Sequence, residues 1–359
     1  MSWIFQNLIR RREFFAAAGV YGCVGFAAST AVADPRSAIW SSQVVRLPPA
    51  AGRNKPPVVT ALALHPQQRL LAIGGDDHLV RVWDLADERF VYQLDDHSDW
   101  VRALMYSPDG ALLASAGNDR RLILWDATTG VKQSEQRSSG RALTAVHFAG
   151  DSAEIACVGF GDTLRVYDVA RGKLLRELGC PCVDMRALTV SPDGERFAGG
   201  GRNGRIRVWD SRSGEVTGEY SAHRQRIRGL AFSPDSRLLA SCGEDRIVNV
   251  FPLETGQGFA LPSQPSKVMS LVFCGPNRLA TGGSDNLVRI WDLNQRVDVD
   301  HLTGHTGSVA ALAYNGEVLV SGGYDTTVRV WRMRPNVAGE DSLPTRRVGD
   351  LRGGRFGSQ

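Results

Sequence analysis

The amino-acid sequence predicts an all-β fold, a seven-bladed β-propeller closed by an N-terminal outer strand in its last blade. The first sign is an aromatic punctuation. Trp83-Asp84, Trp125-Asp126, Tyr167-Asp168, Trp209-Asp210, Phe251-Pro252, Trp291-Asp292 and Trp331-Arg332 recur at intervals of 42, 42, 42, 42, 40 and 40 residues. A period of this length marks one supersecondary unit copied in tandem, which must stack on its neighbours to bury its apolar faces. The second sign lies inside each unit. Between Phe90 and Trp125, the runs Phe90–Leu94, Val101–Tyr106, Leu112–Ser115 and Leu122–Trp125 are short, apolar and separated by turn residues, as in a four-stranded antiparallel meander. The third is composition: 39 glycines fit many tight turns, and 43% hydrophobic residues support a packed core rather than disorder.

Taken in chain order, residues 1–33 differ in kind from the rest. Arg11-Arg12-Glu13-Phe14-Phe15 resembles a twin-arginine export pattern, with an apolar run from Ala16 to Ala28 and the small-residue site Ala31-Val32-Ala33 after it. The run is short and glycine-rich for a bilayer span, which wants about 20 apolar residues. It reads as a cleaved signal, placing the mature chain in the periplasm or cell envelope of a bacterium without an integral membrane span. A frayed N-terminus on a cytoplasmic protein, a membrane tether, and a weak lipoprotein box at Val20-Tyr21-Gly22-Cys23 are the alternatives. Without this segment 39 basic groups face 37 acidic ones, a balance that gives no global field for nucleic acid.

Trp40 to Leu47 has strand character, and Pro48 to Pro57 forms a stiff link into the first unit. The propeller is expected over residues 34–334. The Ser-Pro-Asp-Gly turn at Ser107–Gly110 recurs at Ser191–Gly194 and, with serine last, at Ser233–Ser236. Residues 335–359 lack apolar periodicity and are expected to be a disordered tail.

These motifs resemble the WD40-repeat family over about residues 40–332. The resemblance implies that each repeat gives the outer strand of one blade and three inner strands of the next, with Trp40–Leu47 completing the blade that ends at Trp331. It also implies a buried structural network. The family's turn aspartate falls on Asp77, Asp119, Asp245, Asp285 and Asp325, while the third and fourth units hold Gly161 and Asn203. The hydroxyl falls on Ser115, Ser241, Thr281 and Ser321, and the histidine on His97, His223 and His305. Complete sets are His97, Ser115, Asp119 and Trp125, and His305, Ser321, Asp325 and Trp331. In the fifth unit Phe251 has no indole N–H to donate, so its chain stops one bond short.

Asp, His and Ser occurring together invite a nucleophilic reading, yet their repetition around a ring suits architecture better than a reaction centre. Gly199, Gly201 and Gly204 satisfy a dinucleotide pattern, but Arg205–Trp209 follows as a strand, leaving no helix N-terminus for a pyrophosphate. No catalytic, cofactor or metal site is assigned. Cys157, Cys242 and Cys274 read as buried hydrophobes, and no disulfide framework is expected. Cys180-Pro181-Cys182 replaces the Gly-His segment of the fourth unit and is expected on a rim loop. Its extended Cα atoms would stand about 6.6 Å apart, near the limit for a disulfide. A redox or metal role and an unreactive loop both stay open there.

The resemblance implies docking on the face reached by loops entering the innermost strands. Trp100, Arg102, Asp184, Arg186, Arg226, Arg228 and Lys267 map there, with Asp76, Asn118, Phe160, Arg202, Glu244, Ser284 and Tyr324 before the turn aspartates. Arg102, Arg186 and Arg228 share one slot in three repeats. With Arg202, Arg226 and Lys267 they form a basic arc suited to carboxylates, and Trp100, Phe160 and Tyr324 offer apolar anchors. Either the arc receives an acidic segment of a partner protein, or its arginines pair with Asp184, Asp76 and Glu244 beside them. The functional expectation is a monomeric, non-catalytic interaction scaffold without cofactor. The alternative is an envelope enzyme or cofactor-binding propeller that uses the central channel.

Overall fold

The computed structural model describes residues 40–138 and 140–333; the export-type segment and the C-terminal stretch lie outside the described residues. Strand β1 (Trp40–Arg46) stands first. Blade 1 follows with β2 (Val59–Leu64), β3 (Leu70–Gly75), β4 (Val80–Asp84) and β5 (Arg89–Leu94). Blade 2 holds β6 (Val101–Tyr106), β7 (Leu112–Gly117), β8 (Arg121–Asp126) and β9 (Lys132–Arg137). Blade 3 holds β10 (Leu143–Phe148), β11 (Glu154–Gly159), β12 (Thr163–Asp168) and β13 (Leu174–Gly179). Blade 4 holds β14 (Ala187–Val190), β15 (Arg196–Gly200), β16 (Arg205–Asp210) and β17 (Val216–Ser221). Blade 5 holds β18 (Ile227–Phe232), β19 (Leu238–Gly243), β20 (Val248–Pro252) and β21 (Phe259–Ala260). Blade 6 holds β22 (Val268–Phe273), β23 (Arg278–Gly283), β24 (Val288–Asp292) and β25 (Val297–Leu302). Blade 7 takes β26 (Val309–Tyr314), β27 (Val318–Gly323) and β28 (Thr327–Met333), and β1 is its fourth strand.

The latch is antiparallel and in register from Trp40↔Met333 to Arg46↔Thr327. Innermost strands touch in sequence around the ring, and β26 returns to β2. Each gap between blades is filled by its own apolar core. The gap between blades 7 and 1 buries Val45 of the latch with Ile73, Val320 and Val330. Successive gaps repeat the arrangement around the ring. Second strands are sandwiched between neighbouring blades and read buried almost throughout, whereas outer strands such as β13 alternate with solvent.

Two aspartate turns explain the repeated sequence marks. The aspartate after the aromatic caps the hairpin into the outer strand: Asp126 Oδ1 accepts from the Thr128 and Thr129 amides at 3.1 and 2.8 Å. Where Pro252 replaces it, the outer strand β21 shrinks to two residues. The earlier aspartate closes the turn between the second and third strands. Asp119 and Asp325 accept from the amides two residues on at 3.1 Å each, bridging Arg120 and Thr326, whose φ values are 67° and 66°. Gly110, at φ 77°, ends the Ser-Pro-Asp-Gly turn directly against His65, where a Cβ would come within 2.5 Å of the ring.

Candidate functional site

The buried polar chains come first, because they limit what the ring can do chemically. In blade 2 the Trp125 indole donates to Ser115 Oγ at 2.8 Å, Ser115 Oγ and His97 Nε2 lie 2.8 Å apart, and His97 Nδ1 reaches Asp119 at 2.8 Å. The carboxylate can only accept, so the proton sits on Nδ1 and the serine donates to Nε2. Blade 7 repeats the chain through Trp331, Ser321, His305 and Asp325, with bonds of 2.7–2.8 Å. In blade 5 His223 joins Ser241 and Asp245 at 2.9 Å each, and Phe251 adds no bond. All three serines have zero exposure. Burial pushes the His223 and His305 rings below the ordinary histidine value, against the pull of Asp245 and Asp325. All three chains are hydrogen-bonded relays inside the wall.

The worn units fill the same place in other ways. In blade 1 Asp77 binds Arg81 at 2.6 Å, Ile73 stands where the serine would be, and the Trp83 indole nitrogen is buried without a partner among the described residues. In blade 6 Asp285 binds Arg289 at 2.6 Å, and the Trp291 indole donates to Thr281 at 2.9 Å. Blade 4 differs most, and the rim-loop expectation for its cysteines is corrected in part. Cys180 and Cys182 do lie on the loop between β13 and β14, but they are disulfide-bonded and their side chains turn inward, packed with Met185 and Trp209 in the core between blades 3 and 4. Pro181 bends the segment, so the Cα atoms are 5.0 Å apart rather than the extended separation. Gly201 and Gly204 belong to the turn into β16, and no helix follows them.

The slot shared by Arg102, Arg186 and Arg228 is made by a break in register. In six blades the pairing of the first two strands skips one residue, at Thr60, Arg102, Thr144, Arg228, Met269 and Ala310. A β-bulge re-aims the extra side chain. In blade 4 the slot residue, Arg186, stands just ahead of the short β14 and its amide bonds Gly200 O at 3.0 Å. These side chains converge on a cavity of about 140 Å³ at one mouth of the central channel, bordered by Phe160 and Tyr324.

The three arginines there are not equivalent. Arg228 is ion-paired to Glu244, which also meets Lys267 at 3.2 Å and Arg226 at 3.5 Å. Burial opposes ionisation of Glu244, but Arg228 and Lys267 hold its carboxyl below the ordinary value. Arg226 reaches across to Asp184 at 3.0 Å. Arg186 has only a loose 3.6 Å approach to Asp184, and its guanidinium lies 4.5 Å from the Phe160 ring centre. Arg102 has no carboxylate partner among the described residues: Nε donates to Asn118 Oδ1 at 2.9 Å, and the group lies 4.7 Å from the Trp100 ring centre. Burial pushes both guanidinium groups below their ordinary value, with Asp99 opposing at Arg102 and Asp184 opposing at Arg186. Trp100 and Tyr324 are 39% and 49% exposed, open enough to meet a partner.

Other predicted positions fall away from this cluster. Arg202 is exposed and makes no ion pair among the described residues. Asp76 does not pair with the arc; its carboxylate accepts from the Val58 amide at 2.8 Å. The slot partners Thr60, Thr144, Met269 and Ala310 escaped the sequence reading because nothing about a threonine or alanine announces a bulge. Their constant offset from the repeat aromatic was the available signal.

Six segments, residues 51–84, 88–126, 172–210, 214–251, 259–292 and 296–332, match the family model of the WD domain, G-beta repeat. The chain belongs to that family. The third unit, with Gly161 at the turn position and no network histidine or serine, lies outside the matched segments. A stretch of 58 residues, 16% of this chain, is 40% identical to the anaphase-promoting complex subunit cdh1 of Dictyostelium discoideum, and spans 8% of that protein.

Proposed function

We propose that this chain is a rigid, non-catalytic platform that binds a partner protein through an acidic segment at the channel mouth. The observation that carries it is the presentation of Arg102 and Arg186 at the mouth, stacked on aromatic rings, with little or no carboxylate against them. A guanidinium whose face is covered and whose edge is open is preorganised for a carboxylate. Propellers of this family commonly assemble proteins, and the Asp-His-Ser sets are sealed in the wall where no substrate reaches them. The cdh1 relative is by its name a subunit of a complex, which supports the platform reading only over the 58 residues shared.

We extend the proposal to location and organisation: residues 1–33 direct export of a monomeric propeller to the cell envelope, and residues 335–359 form a tail. N-terminal sequencing of the mature chain after fractionation tests the first part. The platform reading is tested by a photo-crosslinking residue placed at Tyr324 or, as control, at Arg212 on another surface loop, in native cells. A partner joined from Tyr324 and lost in Arg102→Glu/Arg186→Glu supports it. Equal crosslinking from Arg212, or full retention in the double variant, overturns it.

A further inference from the structure

The repeat allows a position-by-position comparison of the three slot arginines, which goes deeper than a shared basic arc. Seven residues before the repeat aromatic stand Asn118, which contacts Arg102, Glu244, which contacts Arg228, and in the blade of Arg186 the exposed Arg202. Of these three only Glu244 is anionic, and its arginine is hydrogen-bonded to it, whereas Arg186 has only the 3.6 Å approach to Asp184 and Arg102 has no ion pair among the described residues. Asn118 occupies the same place with a neutral amide, holding Arg102 Nε at 2.9 Å and leaving both terminal nitrogens without a protein partner among the described residues. Arg202 carries a positive charge and points to no carboxylate. Around the mouth Glu244 takes Arg228 and Lys267, and Asp184 takes Arg226 at 3.0 Å, which leaves Arg186 with a 3.6 Å approach to Asp184 and Arg102 with no ion pair among the described residues.

We infer that the residue before the turn aspartate sets whether its slot arginine is open, so that Arg102 and Arg186 form a two-guanidinium site for the acidic side chains of a partner segment while Arg228 is closed by Glu244. This rests on the platform reading above and assigns its specificity. The cavity, about 140 Å³ and open at the mouth, admits a side chain reaching in from a docked segment. Glu244 shows the geometry the slot supports, since its carboxylate is gripped by the slot arginine of its own blade and by Lys267 from the next. An incoming glutamate or aspartate repeats that contact at Arg102 and Arg186, where the position of Glu244 is held by Asn118 and Arg202 rather than by a carboxylate. Thr144, in the slot between them, donates its hydroxyl to Met185 O at 3.0 Å and so competes for neither guanidinium.

The test is calorimetric titration of the propeller with an N-acetylated, C-amidated tetraglutamate peptide at about 0.15 M salt, where nonspecific attraction is screened beyond about 8 Å. Inorganic phosphate and the matching tetraglutamine peptide are the comparison arms. Arg102→Gln and Arg186→Gln each lower the affinity for tetraglutamate about tenfold or more, as expected for losing a charge-assisted contact. Arg228→Gln changes it less than about threefold by the same reasoning. The decisive pair leaves every arginine in place: Asn118→Glu closes Arg102 and weakens binding as strongly as Arg102→Gln, whereas Glu244→Gln opens Arg228 and strengthens it. Should Glu244→Gln unfold the blade, Asn118→Glu at its half-buried turn position still decides. The inference is overturned if Asn118→Glu is silent, if Arg228→Gln costs as much as Arg102→Gln, or if phosphate binds while tetraglutamate does not. A flat titration alongside face-specific partner crosslinking sinks this assignment and leaves the platform standing; crosslinking indifferent to the face sinks the platform whatever the peptide does.

Discussion

Replacing the network serine by alanine in two different blades should cost different amounts, for a reason visible atom by atom. In blade 7, Ser321→Ala strips the Trp331 indole N–H and His305 Nε2 of their partner, two polar groups in a wall position with zero exposure. In blade 5, Ser241→Ala orphans only His223 Nε2, because Phe251 offers no donor. A buried orphan costs about 1–3 kcal/mol. Ser241→Ala therefore loses about 1–3 kcal/mol and Ser321→Ala about 2–5 kcal/mol. Ser115→Ala in blade 2 should match Ser321→Ala, since its serine also serves an indole and an imidazole. Equilibrium urea unfolding with a shared slope measures the difference. The partial rescue of Ser321→Ala by Trp331→Phe, which rebuilds the blade 5 arrangement, isolates the indole as its source in a double-mutant cycle. Equal losses in all three blades, within about 0.5 kcal/mol, would refute the relay.

Acidification should weaken the fold in two stages. His223 and His305 are held neutral by burial, so their contribution is complete above the ordinary histidine value of about 6.5 and is lost as the pH falls below it. Burial works against the Asp325 carboxylate, but hydrogen bonds from the Thr306 amide, Thr327 and His305 hold it below its ordinary value, so a second loss follows below about pH 4; a urea midpoint that rises between pH 7 and 5 contradicts the histidine sign, and one that rises from pH 4 to 3 contradicts the carboxylate sign. Ile73→Thr gives the orphaned Trp83 indole the acceptor that Thr281 gives Trp291, and should be at least as stable as Ile73→Val, which creates a similar void without the hydroxyl; a threonine variant about 1 kcal/mol worse in thermal unfolding shows the indole cannot reach it. Val45→Asp, at 2% exposure, places a charge in the core under the latch and should cost about 3 kcal/mol or more, freeing the edge of β28 for association seen by light scattering; a stable monomer means the ring does not depend on the latch.

The architecture was legible because it is written in local intervals. A spacing of 40 or 42 residues, an aspartate at a turn, or Phe251 in place of tryptophan each states its consequence without knowledge of any distant contact. The latch was legible through the family resemblance, with the strand character of Trp40–Leu47 supplying the outer strand that it implies. The mouth was legible only in part. The common offset of Arg102, Arg186 and Arg228 is a sequence fact, but the bulge that turns them into the channel depends on how two strands pair, and register is invisible in a single strand. Whether an arginine is free depends on reach between blades, as when Arg226 in blade 5 finds Asp184 in blade 4. The burial of Cys180 and Cys182 escaped for a related reason: what they replace is a polar network, and only packing shows that an apolar filling took its place.

The wear on the repeats is also what allows the mouth to have a side. Seven identical units carrying arginine in the slot would set seven guanidinium groups around one axis, each repelling the others in a partly desolvated opening. Three such groups already push on one another, for Arg186 feels Arg226, Arg228 and Arg102 as repulsion on top of burial. The fold tolerates them because Asp184 and Glu244 sit among them and because Thr60, Thr144, Met269 and Ala310 fill the other slots without charge. The same divergence that spoils the polar network of blade 4 puts Asp184 and Arg186 directly after the buried cysteine pair. A ring whose walls are nearly periodic can thus carry an opening that is not, with Arg228 ion-paired to Glu244 while Arg102 and Arg186 are held by aromatic rings.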